Sequence, residues 1–486
     1  MVQRMAGTAA LAMAASIPVA AQVSPAAPPG MPRNPSPIGD TSAIAKEAQS
    51  WLADLIKINT TNPPGNEQLA AMYIAEILEK EGIKAEILDV TPGRSALVAR
   101  LKSTAMADPS KALLLVAHMD VVGVEKPKWT VDPFAAVQKD GYLYGRGAID
   151  DKGMLATNLM TMLLLKRTYS SGGTPLSRDV VFLATSDEEA GGDWGMGWLV
   201  KQHPDVLDAQ FAINEGGRTR IIEGGQRYLA VQSAEKVSHV VTVTAHGPAG
   251  HAAIPLPDNA IFRLARALET VSVYAEPVML TGITRKFFAQ LAEFWPNDVE
   301  KTAMLDLVST DPKRTALGAS FLSTIPVFNA LLRNGISPTV VEGGKQFNVI
   351  PAAATAVLNV RTLPGLSIDK VVNRLRAIVS EPGVTIEISH RGEEAPSSDH
   401  ESEMFTAIAE AVHELDPAMA VVPYLSTGVT DSARLRRLGV QAYGVLPFPM
   451  VQSDEERMHG SDERVPLDSL HFGVRLIYGA IERIAR

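Results

Sequence analysis

Four short segments gather acids and imidazoles beside glycines. They are Ala117-His118-Met119-Asp120, the loop 145–153 with Asp150 and Asp151 in it, Ser186-Asp187-Glu188-Glu189-Ala190-Gly191-Gly192, and Asn214-Glu215-Gly216-Gly217. Three of them follow directly on short apolar runs, 112–117, 180–185 and 211–213, which read as buried strands of a mainly parallel sheet. In open α/β sheets ligands bind beyond the carboxyl ends of the strands. His118, Asp120, Glu188, Glu189 and Glu215 are therefore expected on one rim, with the Asp150 loop folded over it. Carboxylates crowded in this way raise one another's pKa unless a cation intervenes. With no cysteine in the chain, a metal must be held by His, Asp and Glu, a donor set that suits zinc and also cobalt or manganese. Two divalent ions bring +4, against −3 from Asp150, Glu189 and Glu215; two neutral histidines add nothing, and one bridging hydroxide brings the sum to zero.

Each residue alone has a plainer reading. A lone His118 is more often a buried histidine bonded to backbone. Two residues on, however, Asp120 falls on the same side of a strand, where it can accept from the ring N–H of His118 and fix its tautomer. Glu188-Glu189 reads equally as a solvated pair at a strand end, and Asp150-Asp151 as a surface turn or, through Asp151, as the N-cap of a helix beginning near Gly153. Their occurrence together, in order, is the signal.

The elements that must position these groups fall into three blocks. From 41 to 235, helical and strand patterns alternate. Residues 44–56 carry an apolar stripe, a second helix follows the turn Asn62-Pro63-Pro64-Gly65 with Leu69, Met72, Ile74, Ile77 and Leu78 expected inward, and a long helix fits 153–168. From 236 to 393 the order is β-α-β-β-α-β, the split plan of a small ferredoxin-like α+β domain, with 275–335 left over as a mostly helical insertion. From 394 to 486 the first texture returns. The reading is one α/β catalytic domain (41–235 and 394–486) with a second domain (236–393) inserted into it. Residues 1–21 have Arg4, an apolar run and small residues before Gln22, the pattern of a signal peptide cleaved after about Ala21. A Pro-rich lead-in covers 22–40, and an export signal without cysteine suits a secreted or periplasmic protein. A formal net charge of −9 with no Lys/Arg-rich run argues against nucleic acid as a partner, and no other stretch is long and apolar enough to span a bilayer.

The stretch HMDVVGVEKPKWTVDPFAAVQKDGYLYGRGAIDDKG, with SDEEAGG, NEGG and a late MHGSDERV, resembles the zinc-dependent exopeptidase family of aminoacylase, glutamate carboxypeptidase, succinyl-diaminopimelate desuccinylase and glycine-X carboxypeptidase. The likeness spans roughly 45–480. It implies a di-metal catalytic domain with an inserted lid or dimerisation domain, and a homodimer through that lid. It further implies Asp150 as the bridging carboxylate, His118 and Glu215 completing one metal site, Glu189 and His459 the other, Glu188 as catalytic base and Asp120 orienting His118. His251 would reach an active site, often the partner subunit's, while Asn348 and Arg361 would contact substrate. Residues 426–434 resemble the substrate-side loop, but Ala433 intervenes before Arg434, where the family often has Asp-Ser-Arg or Asp-Ala-Arg. The expected function is cleavage of an amide bond next to a free carboxylate by a di-zinc carboxypeptidase, dipeptidase or N-acyl-amino-acid hydrolase, with a metal-bridging hydroxide as nucleophile. An amidase or esterase on a non-peptide substrate is the alternative, and a non-catalytic metal-stabilised binding protein a further one.

Overall fold

The computed structural model describes residues 41–103, 111–169 and 176–486; the expected signal peptide and lead-in lie outside them. Its largest feature is a ten-stranded mixed sheet. Four neighbouring strands at its centre, Val180–Thr185, Leu113–His118, Phe211–Asn214 and Gln441–Gly444, run parallel. The first three are buried along their whole length, as continuous apolar runs require of strands covered on both faces. On one flank the hairpin Ala85–Thr91 and Arg94–Leu101 adds antiparallel to Val180–Thr185. On the other, Arg227–Glu235 carries Arg218–Ile221 antiparallel and Ala420–Ser426 parallel.

Helix Lys152–Tyr169 is buried on every side as far as Leu165, the mark of a helix enclosed by a core. It packs with Thr41–Lys57 and Leu467–Ala485 over one face of the sheet. Helix Glu67–Lys80 differs from its sequence reading. It buries Ala70, Ala71, Ile74, Ala75 and Leu78, whereas Leu69 and Met72 are exposed. Alanines let this helix lie close to the hairpin, and the larger side chains are turned outward.

A second sheet is wholly antiparallel, with strand order Gly335–Gly343, Ala353–Thr362, Val237–His246, Val384–His390. Alternate residues of Val237–His246 are buried, and they share a core with Leu264, Ala267 and Val271 of helix Ala260–Val273 and with Val371, Val372 and Leu375 of helix Ile368–Ile378. Between these elements, helices Gly282–Phe294, Asp298–Leu307, Pro312–Leu322 and Pro326–Leu332 form a separate cluster. Phe287, Phe288 and Phe328 pack there with Tyr228, Val422 and Tyr424 of the large sheet. The insertion is thus a helical layer on that sheet's outer strands. Among the described residues, none from 275–335 lines the main cavity.

Candidate metal centre

The rim expected from the sequence exists. His118 is the last residue of its strand, Glu188 and Glu189 follow Val180–Thr185 within four residues, and Glu215 follows Phe211–Asn214 directly. Asp150 reaches the same place from the glycine-rich loop. Its Oδ1 lies 3.0 Å from His118 Nε2 and its Oδ2 lies 3.1 Å from His459 Nε2, so its two oxygens face different histidines. His459 Nε2 is also 3.2 Å from Glu189 Oε2. Donor atoms of His118, Glu188 and Glu215, and of His118, Asp150 and Glu189, fall within 4.8 Å of one another. All five expected ligands and the expected base therefore share one cluster. His459 is held with φ 58°, a left-handed conformation uncommon for non-glycine residues, though histidine adopts it more often than most.

The backbone supports are specific. The loop bearing Asp150 is anchored by Glu463, a buried carboxylate that accepts from the amides of Gly147 (3.0 Å), Ile149 (2.8 Å) and Asp150 (3.1 Å) and pairs with Arg146 (2.6 Å). Asp120 accepts from the amides of both Glu188 and Glu189, each at 3.1 Å. Its relation to His118 departs from the expectation. The nearest acceptor to His118 Nδ1 is the Asp120 backbone oxygen at 2.9 Å, whereas the carboxylate stands 3.6 Å away. The ring is still oriented by Asp120, but through its carbonyl, because the carboxylate is committed to the neighbouring loop. Asp151 does not cap its helix either; its carboxylate accepts from the His118 amide at 3.2 Å.

The cluster is electrostatically unbalanced as protein alone. Burial, followed by the neighbouring Asp150, pushes the Glu215 carboxyl up to about 8. Burial and the nearby Glu215 push Glu188 well above the usual carboxylate range. Burial opposes ionisation of Asp150, yet the two imidazoles against it hold its carboxyl well below that range. Hydrogen bonds to Asp150 and Glu189 raise His459 to about 10. Glu189 Oε1 is buried without a partner. Acids that need positive charge, and imidazoles charged only because the acids are there, fit divalent cations held by nitrogen and oxygen.

The cluster opens into a cavity of about 1160 Å³. Its lining includes Lys236, Arg361, Arg391, Arg434 and Arg437. Arg361 spends its Nε on Asn359 Oδ1 at 2.9 Å, and its buried Nη1 has no partner. Arg434 donates to Gly191 O at 2.8 Å and Asp193 Oδ1 at 3.1 Å, so it braces the loop after Glu188-Glu189. His251 and Asn348 are not part of this lining. They lie together on an exposed two-strand ladder, where Ala252 N donates to Asn348 O at 3.0 Å. Glu463 and Asn62, which donates to Asp120 at 2.8 Å, were not singled out from sequence. The late MHGSDERV segment contained the first, and the Asn62-Pro63-Pro64-Gly65 turn the second.

Comparison with known proteins places this arrangement. Residues 114–483 match the description peptidase family M20/M25/M40. The chain is 27% identical over 387 residues to human N-fatty-acyl-amino acid synthase/hydrolase PM20D1, covering 77% of this chain and 75% of that protein. It is 27% identical over 414 residues to a probable succinyl-diaminopimelate desuccinylase of Staphylococcus aureus, covering 81% of this chain and 88% of that one. The fold is similar to that of the metallo-carboxypeptidase Sso-CP2 of Sulfolobus solfataricus, with TM-score 0.67 at 20% identity over 90% of this chain and 99% of the other. It is also similar to that of human carnosine dipeptidase 1, with TM-score 0.63 at 16% identity over 91% and 96% of the two chains.

Proposed function

The chain belongs to peptidase family M20/M25/M40 and is a metal-dependent hydrolase; on that premise we propose that it cleaves an amide bond next to a free carboxylate, as a carboxypeptidase, dipeptidase or N-acyl-amino-acid hydrolase. One observation carries the reading: Asp150 stands between two histidines, one oxygen to each, with Glu188 in the same cluster. In this reading His118, Glu215, Asp150, Glu189 and His459 would together hold two zinc ions, or cobalt or manganese in their place, with Asp150, which faces both histidines, shared between them. Bound divalent cations supply Lewis acidity and make a water acidic enough to deprotonate near neutral pH.

The protein's own groups do the rest. Glu188, whose carboxyl is raised by burial and by Glu215, takes the proton of the attacking water and returns it to the leaving nitrogen. Glu463 and Asp120 hold the loops that carry Asp150, Glu188 and Glu189. The unpartnered Nη1 of Arg361 receives the substrate carboxylate across the cavity. The antiparallel sheet of 237–390 acts as an inserted ferredoxin-like lid and dimerisation domain, which brings His251 of the partner subunit to the developing oxyanion and Asn348 to the substrate. Residues 1–21 act as a signal peptide for export to the periplasm, a point that N-terminal sequencing of the secreted protein tests.

The functional test is an assay of dipeptides and N-acyl amino acids on metal-loaded protein with and without chelator. Chelation is expected to abolish turnover, and added zinc, cobalt or manganese to restore it. Turnover of amides lacking a free carboxylate at the same rate would overturn the substrate class.

A further inference from the structure

We propose that Arg94, on a hairpin outside the cavity, is a positioning residue that clamps the loop carrying Glu188 and Glu189. This rests on the assignment of Glu188 as base. Arg94 lies at the start of strand Arg94–Leu101. Its guanidinium donates to the Asp187 carboxylate and to Asn62 Oδ1, and it reaches Pro64 O at 2.8 and 3.0 Å. Asn62 Nδ2 in turn donates to Asp120 Oδ2 at 2.8 Å and Asp187 Oδ1 at 3.1 Å. Asp120 accepts from both Glu188 and Glu189 amides, while Asp187 Oδ2 accepts from Trp194 N at 2.9 Å. The fork therefore grips the 187–194 loop directly through Asp187 and indirectly through Asn62 and Asp120.

Two details separate a clamp from simple charge neutralisation. The nearest buried acid on the hairpin side, Glu67, stands 3.9 Å from Arg94 Nη1 and makes no hydrogen bond to it. The planar donors are instead divided between Asp187, which takes Nη1, and the turn at Asn62 and Pro64, which takes Nε and Nη2, a set of acceptors that a lysine's point charge could not serve at once. Asp187 itself has φ 63°, a left-handed conformation uncommon outside glycine though tolerated by aspartate, and both of its carboxylate oxygens are engaged, one by Arg94 and Asn62 and the other by Trp194 N. Gly65, directly after Pro64, also makes room for it: its φ is +81°, and a Cβ there would fall 2.6 Å from Glu67 Oε2 and 2.9 Å from Arg94 Nε.

The test uses full-length metal-loaded protein and the variants R94Q, R94K and R94A, with R100Q as control. Arg100 is on the same strand and pairs with Asp179 at 3.2 Å, away from the loop. Expected for the three Arg94 variants is two metals per chain, a kcat lower by roughly 10–100-fold as for other groups that support ligands, and KM within about threefold. Guanidinium ion added to R94A should restore about a tenth or more of the lost rate. Backbone amides of 187–194 should exchange faster with deuterium in R94Q and not in R100Q. Equal kcat in folded R94Q and wild type, or an equal loss in R100Q, overturns the clamp. Unchanged exchange at 187–194 in R94Q overturns it independently of what the wild type hydrolyses. Absence of wild-type turnover on the substrate panel, with faster exchange in R94Q, instead overturns the proposed function and leaves the clamp standing.

Discussion

Asp150, Glu188 and Glu215 bear the same functional group in two settings. Two imidazoles keep Asp150 ionised against the cost of burial. Glu188 and Glu215 have burial and neighbouring acids raising them, without a histidine bonded to either carboxyl. The reading separates ligand from base by experiment. Glu188→Gln is expected to keep two metals, measured by elemental analysis, and to lose about three decades of kcat, because only proton transfer is removed. His459→Ala is expected to lose about one metal per chain at equal free zinc, because a donor is gone. A Glu188→Gln protein with wild-type turnover would end the base assignment. Of these residues, His118, Glu188, Glu189 and Glu215 were legible in the sequence because each sits at the end of an apolar run. His459 was not legible from its own surroundings. It lies in a polar loop, and what brings it to Asp150 is a left-handed backbone turn that composition does not reveal.

At the scale of elements, the helix Glu67–Lys80 and the hairpin beside it enclose an acid with no hydrogen-bond partner. Glu67 is fully buried, and burial pushes its carboxyl from 4.5 up to about 7. The sign follows from proton binding. The folded state holds this proton more tightly than the unfolded chain, so the associated stability is present in full below pH 4.5 and is lost as pH rises to about 7. Glu67→Gln removes the titration. The stability of the variant relative to wild type is expected to rise by roughly 2–3 kcal/mol between pH 4 and pH 8, read from paired urea unfolding curves at each pH. A flat difference would place the proton elsewhere. Element order was largely legible: the helix expected over 153–168 is Lys152–Tyr169, and the strands and helices of the antiparallel sheet follow the expected β-α-β-β-α-β order around the helical insertion. The inward face of Glu67–Lys80 is not the one its large apolar residues predict. Here the close approach of helix and hairpin selects alanine, and Leu69 and Met72 face outward.

At the scale of the whole molecule, His251 and Asn348 are not among the residues lining the cavity that holds the candidate metal ligands. The proposed dimer gives them a role and can be tested by complementation. Glu188→Gln and His251→Ala chains, each inactive alone, are mixed 1:1 under conditions that exchange subunits. Random pairing makes half the molecules heterodimers, each with one complete site, so about a quarter of wild-type activity is expected. No activity from the mixture, with exchange verified by mass, would assign His251 to its own chain or to no site. The placement of the 275–335 insertion was not legible, because its aromatics predict burial without predicting against what. The partners turned out to be Tyr228 and Tyr424 on distant strands of the large sheet. Asp120 sets a broader constraint. One carboxylate carries the amides of both Glu188 and Glu189, so in the proposed reading acid–base strength and coordination cannot be retuned separately by mutating that anchor. Directed evolution toward new leaving groups should accordingly accumulate its gains at cavity residues such as Arg391 and Arg437, which bond Asp369 and Glu393, so that a substitution leaves the shared tether untouched.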